Sequence, residues 1–306
     1  MILSDVRYVR VLLTSKCNMS CLFCHKEGSC SINAELDPEL LLNTLNYLYG
    51  IGYRKIKLMG GEPLLYSDIK DIIYKIKTMG DDIDLSMISN GCFDSSRYIK
   101  LFEKGLDRLN ISIHGWEYPY FHENTGGALV DYNRIKSTLY DLVSINKINK
   151  INYVLKKGVN ENDFVSMIND IQGNYVIVDV LNLLVYQGQE SNLKFQYSFE
   201  EIEDLISQNW NVKSNEIVIN KYSLPSKRII LENGININLK VTELNKQNVF
   251  FSCGSCIFKD RCIEGIKAIR ITSDGMLQPC LLRNDNTLDL NCITDFDDIK
   301  EFLERL

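Results

Sequence analysis

The sequence predicts an α/β fold built on parallel strands, and three observations predict it. Strand-like apolar runs alternate with stretches of helical spacing through most of the chain. Alternating β and α units imply parallel strands joined by right-handed crossovers. The cysteine loop Cys17–Cys24 and the turn Gly60-Gly61-Glu62-Pro63 each directly follow a strand-like run, where such sheets carry their chemistry. At 306 residues, 45% apolar and 24% charged, the chain can bury one large core plus an appendage.

Six strands are expected, at Arg7–Thr14, Lys55–Gly60, Asp84–Ser89, Arg108–His114, Lys150–Lys156 and Val176–Leu184. Between Pro38 and Tyr49, Leu40, Leu41, Leu45 and Leu48 share a helix face, with Asp37 as N-cap and Pro38 in the first turn. Ile69, Ile72, Ile73 and Ile76 recur at helical spacing in 68–79, and 131–143 and 163–171 follow the same logic. Residues 209–251 show strand-like alternation, at Glu216–Asn220 and Ile235–Val241, which is expected to close the side of the sheet. A final helix is expected over Asp295–Leu306. The expected domains are 1–208 for the strand–helix units and 209–306 for a C-terminal extension.

A net charge of −6 excludes a broadly basic nucleic-acid surface. No apolar run reaches membrane-spanning length. Asp5, Arg7 and Arg10 interrupt the start, so no signal peptide is expected. Ten cysteines without a secretory signal point to a reducing cytoplasm and to metal ligation rather than disulfides.

The chemistry centres on Cys17-Asn-Met-Ser-Cys21-Leu-Phe-Cys24, spaced C-x3-C-x2-C behind the apolar run Val9–Leu13. Three thiolates on one loop can hold three irons of a [4Fe–4S] cube and leave the fourth open to a ligand. The plain alternative is three free or zinc-binding thiols, although zinc usually takes four ligands in two separated pairs.

With Gly60-Gly61-Glu62-Pro63 after the second strand, Ser89-Asn90-Gly91 after the third and Asn110-Ile111-Ser112-Ile113 in the fourth, the pattern resembles the radical S-adenosylmethionine (SAM) superfamily. The resemblance implies an open, partial (β/α)6 TIM barrel with the motifs at the C-terminal ends of its strands. It implies a cluster on Cys17, Cys21 and Cys24 that binds SAM through its open iron. Phe23, Gly60, Gly61, Glu62, Pro63, Ser89, Asn90 and Ser112 would contact SAM. The implied electron donor is a flavodoxin or ferredoxin.

A second cysteine set, Cys253, Cys256, Cys262 and Cys280, is spaced C-x2-C-x5-C-x17-C. Four thiolates suffice for a second [4Fe–4S] cluster, and zinc is the alternative. Cys262, Gly275 and Cys280 resemble half of the SPASM or twitch module found in many radical SAM relatives. Cys30, Cys92 and Cys292 are expected to be small buried apolar residues.

Longer matches resemble the GTP 3′,8-cyclase (MoaA-like) family of molybdenum-cofactor biosynthesis. They are Cys24-His25-Lys26-Glu27-Gly28, 105–110, Lys157-Gly158-Val159-Asn160, and 272–275 continuing through 279–285. That family binds its nucleotide with cations, and the resemblance puts Arg10, Lys55, Lys57, Lys150 and Arg270 in that role, as a pocket for a small anionic substrate. The plain alternative for each is a solvated surface charge. Four features depart from the family pattern. Ala268 replaces an arginine, Ile88 replaces a hydroxyl residue, Cys262 adds a fourth late thiol, and the chain ends Glu304-Arg305-Leu306 rather than Gly-Gly. They point to a paralogue with an altered substrate. His114 sits where relatives usually carry Asp and is expected either to move protons or to be an oriented core or rim histidine. His25 either tunes the neighbouring cluster or lies on the surface.

Three function classes compete. The first is a small-molecule enzyme on a nucleotide or other anionic metabolite. The second is a peptide maturase, disfavoured because only 16 residues precede the first cysteine. The third is a two-cluster electron carrier or sensor, disfavoured because a carrier needs no SAM grip.

Overall fold

The computed structural model describes residues 7–26, 32–148, 150–171, 176–185, 189–219, 225–240, 268–281, 283 and 285–305. Six parallel strands form the centre: β1 (Tyr8–Thr14), β2 (Lys55–Gly60), β3 (Asp84–Ser89), β4 (Arg108–Ile113), β5 (Lys150–Leu155) and β6 (Ile177–Asn182). They lie in sequence order, as successive strand–helix units require. All six coincide with the expected runs to within two residues at each end.

Helices α1 (Pro38–Gly50), α2 (Ile69–Thr78), α5 (Leu129–Ser144) and α6 (Glu161–Asp170) stand where helical spacing put them. The Asp37 side chain accepts from the Leu40 amide at 2.8 Å and so caps α1. On α2, Ile69, Ile72, Ile73 and Ile76 are buried. Helices α3 (Ser95–Glu103), α4 (Tyr118–Thr125) and α7 (Phe199–Asn209) were not anticipated. A reciprocal capping box at Ser198 and Glu201 marks the start of α7 and was legible in the sequence.

The C-terminal third extends the sheet at both edges. The antiparallel strands β7 (Val212–Val218), β8 (Ser226–Leu231) and β9 (Asn236–Lys240) join it through β9, which runs parallel to β6. β7 begins four residues before the expected run at Glu216. At the other edge β10 (Ile269–Ile271) runs parallel to β1 and carries β11 (Met276–Gln278) and β12 (Leu288–Asp289). The last helix is α8 (Asp297–Glu304). Among the described residues no helix is long and apolar enough to cross a membrane.

One face of the sheet carries Val9, Val11, Ile56, Leu58, Leu85, Leu109, Ile111, Ile151, Val178 and Ile237, all buried in the core shared with the helices. The alternate positions face the other way. They are largely polar: Arg10, Lys55, Lys57, Ser86, Asn110, Ser112, Lys150, Asn152, Asp179, Asn238, Lys240 and Arg270. β2 and β9 are five strand spacings apart in the sheet, about 24 Å if it were flat. Yet Lys240 is close enough to feel the charges of Lys57 and Tyr8, so the sheet curls and this polar face becomes an inner one. A closed barrel of this type packs its interior with branched apolar residues; the inner face here is largely polar.

Candidate functional site

The cysteine loop leaves the C-terminal end of β1 and is pinned from two sides. On one side, the Ser20 amide donates to the Thr125 carbonyl at 2.9 Å and the Leu22 amide to the Asn124 carbonyl at 3.0 Å. Both acceptors lie at the C-terminal end of α4, whose last carbonyls have no partner within the helix. On the other side, the Gly61 amide donates to the Thr14 carbonyl at 2.6 Å and the Glu62 amide to the Lys16 carbonyl at 2.8 Å. The two glycines have a shared cause. A β-carbon on Gly60 would come within 2.4 Å of the Thr14 carbonyl oxygen, and one on Gly61 within 2.1 Å of that of Lys16. Gly60 also has φ +139°, which L side chains rarely adopt.

Cys17 and Cys24 are exposed and Cys21 is half-buried. Burial, then the charges of Cys24 and Cys17, push the Cys21 thiol up to about 12. Burial also raises Cys17, with Glu62 and Cys24 adding to it. The three thiols are thus coupled. Among the described residues, however, no three His, Cys, Asp or Glu side chains converge on an ion-sized site. A cluster that offers each thiolate its own iron, and positive charge with it, suits this donor set.

Glu62 is fully buried. Its carboxylate accepts from the Asn90 amide at 2.8 Å, the Ser89 hydroxyl at 2.8 Å and the Leu64 amide at 3.2 Å. Burial raises its pKa to about 7 against these bonds. Pro63 opens the 3-10 turn Pro63–Leu65 that Glu62 caps. The Asn90 side chain donates to Asn18 in the cysteine loop at 2.8 Å. Glu62, Ser89 and Asn90 therefore tie the ends of β2 and β3 to that loop.

The mouths of β4 and β5 complete the rim. The ring of Phe23 meets His114 edge-on, with centroids 4.8 Å apart. Burial, helped by the Lys156 charge, lowers the His114 pKa to about 4. Its Nδ1 is buried and has no hydrogen-bond partner among the described residues. Ser112 lies two residues deeper on the same face, 3.5 Å from the Asn152 amide nitrogen.

Below the rim, the structure brings Arg10, Lys55, Lys57, Lys150 and Arg270 to the inner face. Arg10 is the register partner of both Lys57 and Arg270. Asp179 and Lys240, which sequence reasoning missed, join them. The Asp179 carboxylate accepts from Lys150 at 2.9 Å and from Asn238 at 2.9 Å. Burial raises its pKa, but Lys240, Lys150 and Asn238 together hold it below the usual carboxylate range. Lys57 falls to about 7, first by burial and then by the charges of Arg10 and Lys150. The signal was there: Asn236, Asn238 and Lys240 alternate with apolar residues in β9, and Asp179 is the one charged residue of β6.

Cys253, Cys256 and Cys262 lie outside the described residues, as does Cys30. Cys280 is buried. Cys92 is buried as expected, whereas Cys292 is exposed, a correction. Cys292 sits in the turn after β12, with its thiol 3.3 Å from the Asp289 carboxylate rather than in the core.

Residues 11–171 match the model of the Radical SAM superfamily. The chain is 31% identical over 300 residues to a probable GTP 3′,8-cyclase of Sulfurisphaera tokodaii, covering 94% of this chain and 84% of that protein. It is 29% identical over 293 residues to a probable GTP 3′,8-cyclase of Methanococcus aeolicus, covering 94% and 89%. Among solved structures it is similar in fold to Streptococcus suis SuiB bound to S-adenosylmethionine, with TM-score 0.68 and 16% identity over 97% of this chain and 66% of that one. It is also similar to anSMEcpe with bound AdoMet, with TM-score 0.61 and 14% identity over 97% and 80%. The chain belongs to the radical SAM superfamily of enzymes, and it is MoaA-like along nearly its whole length.

Proposed function

We propose that this enzyme abstracts hydrogen from a small anionic substrate, a nucleotide such as GTP or a related metabolite, held on the inner face of the barrel. The observation that carries this reading is the set of cations Arg10, Lys55, Lys57, Lys150, Lys240 and Arg270 on one face of the sheet, below a three-cysteine loop. Cations clustered on one buried face favour an anion.

Superfamily membership implies a [4Fe–4S] cluster and SAM. Together they supply one-electron cleavage of SAM and a carbon radical able to take hydrogen from an unactivated C–H bond. Cys17, Cys21 and Cys24 would hold the cluster. Gly60 and Gly61 keep the β2 turn bare, so the cysteine loop can lie against it. Glu62, Ser89 and Asn90 fix that turn, and Phe23 and Ser112 face the same rim. The cations orient the substrate's charged end, and Asp179 keeps Lys150 in place. Cys253, Cys256, Cys262 and Cys280 would carry a second cluster. Such an oxygen-sensitive centre suits a reducing cytoplasm and a low-potential one-electron donor such as a flavodoxin or ferredoxin.

The test is anaerobic reconstitution followed by measurement of iron, sulfide, 5′-deoxyadenosine and GTP conversion. The reading expects about eight irons per chain, four for each [4Fe–4S] cluster, and SAM cleavage that depends on reductant. Cyclised GTP makes the substrate GTP itself. SAM cleaved with GTP untouched directs the search to other anionic metabolites and then to peptides. Failure to cleave SAM overturns the reading.

A further inference from the structure

Lys57 stands apart from the other lysines of the inner face. It lies mid-strand on β2, and its register partners are Arg10 on β1 and Ser86 on β3. Neither offers it an acid: Arg10 is a cation, and the Ser86 hydroxyl already donates to the Ile56 carbonyl at 3.3 Å. Lys150 has the Asp179 carboxylate at 2.9 Å, and Lys55 has Asp84 as its register partner. Among the described residues the Lys57 Nζ makes no ion pair and no hydrogen bond, and it lies 6.0 Å from the centroid of the Tyr8 ring.

An ammonium in that setting is opposed by burial and by the charges of Arg10, Lys150 and Arg108. Lys240 faces it from β9, and Asp179 pulls the other way but less than Arg10 and Lys150 push. With a pKa of about 7, about half of Lys57 is free amine at neutral pH. A desolvated lysine beside other cations is an activated amine nucleophile. It is also reachable: Ile56 and Leu58 on either side are buried in the core, whereas Lys57 is only half-buried.

We propose that Lys57 is a covalent nucleophile that forms an imine with an aldehyde or ketone carbonyl of the substrate, which is then a small carbonyl-bearing anion such as a 2-oxo acid. This deepens the reading above and rests on its anionic substrate at the inner face. The lone pair of the lysine nitrogen bonds to the carbonyl carbon, and the carbonyl oxygen takes up a proton as the nitrogen gives one up. That oxygen leaves as water when the C=N bond forms. One water is lost, and nothing is oxidised or reduced. Arg10, level with Lys57 on the neighbouring strand, is placed to hold the carboxylate. An unpaired electron formed on the carbon next to the C=N group is shared with it, which eases removal of hydrogen there. The ring carbonyl of GTP is an amide and does not condense with amines, so GTP binds here without a covalent bond.

The test is reductive trapping on the anaerobically reconstituted protein at pH 7, with cyanoborohydride and, in turn, pyruvate, glyoxylate and 2-oxoglutarate. Intact mass and peptide mapping read the product. An exposed lysine, with pKa about 10.4, is neutral to less than about one part in a thousand at that pH. The expected result is a single adduct on Lys57, which with pyruvate adds the mass of pyruvate less one oxygen atom. Its labelling exceeds that of exposed lysines at least about tenfold at pH 7, and the excess shrinks towards about pH 10. Lys57→Arg keeps the charge and loses the adduct. Labelling spread over exposed lysines, or no Lys57 adduct with any of the three acids, overturns the nucleophile. Mapping on the wild type decides this even where the variant does not fold. SAM cleavage with reductant is measured on the same preparation. A Lys57 adduct in protein that cleaves no SAM overturns the radical reading and leaves the nucleophile standing; SAM cleavage without the adduct overturns the nucleophile alone.

Discussion

Gly61 stands where a β-carbon would lie 2.1 Å from the carbonyl oxygen of Lys16. Both partners are backbone, so neither can swing away. Gly61→Ala therefore has to push the cysteine loop off β2, breaking the bond from the Glu62 amide to the same oxygen. We expect the purified variant to lose most of its loop-bound iron, read by iron analysis and visible absorbance. Gly50→Ala, where nothing lies within 4 Å, serves as the matched control and keeps its iron.

Asp179 is a buried acid among the inner-face cations, and Lys150 and Lys240 both act on it. Asp179→Asn leaves Lys150 and Lys240 facing each other without it, and breaking such a buried pair costs roughly 3 kcal/mol. Urea denaturation at pH 7 measures the loss. Because the folded-state pKa of Asp179 lies below its unfolded value, its contribution is fully present above about pH 4 and fades as pH falls further. The wild type is therefore expected to lose part of the difference from Asp179→Asn in acid.

Lys57 gives a pH signature to ligand binding. Its folded pKa of about 7 lies below the unfolded value, so between about pH 7 and 10 the unfolded chain holds more protons. In that window this residue makes stability rise with pH. A bound anion raises the lysine's pKa, so binding above pH 7 takes up a proton and anion affinity falls as pH rises. Calorimetry of GTP binding in two buffers of different ionisation enthalpy is expected to show uptake at pH 8 in the wild type. Lys57→Met is expected to abolish it.

Glu62→Gln replaces an acceptor of three donors with a group that must turn an N–H toward one of them. The cost is about 1–3 kcal/mol for a buried unsatisfied donor. Thermal unfolding is expected to show it at pH 7 and more weakly at pH 8, because a carboxyl whose pKa is raised by burial contributes less once it must ionise in place.

How much of this was legible in the sequence follows from where each signal lives. The six central strands and α1 and α2 were readable because their core residues recur at fixed spacing: Ile69, Ile72, Ile73 and Ile76 define α2 outright. α4 was missed because Tyr118–Thr125 buries only Phe121, Asn124 and Thr125 and has no apolar stripe. That same helix carries Asn124, which bonds to Leu22, His114 and Lys156 and so joins three segments far apart in sequence. The cations Arg10, Lys57 and Lys150 were found through motif likeness. Asp179 and Lys240 were not, because no short motif contains them and only the curvature of the sheet brings them near Lys57. Cys292 was misjudged because cysteine's usual burial says nothing about a particular thiol in a turn.

The two edge extensions of the sheet have a consequence for how the molecule is made. Val9, in the first strand, pairs with Ile269, near the far end of the chain. On a ribosome β1 would emerge long before its outer neighbour exists, and β6 would wait for β9. Both flanks of the half-made barrel would then be bare hydrogen-bonding edges, open to mispairing with other chains until translation is nearly done. Such long-range closure is intrinsically slow. Expression at reduced temperature, or with holdase chaperones, should therefore raise the soluble yield more than any change to the cysteine loops.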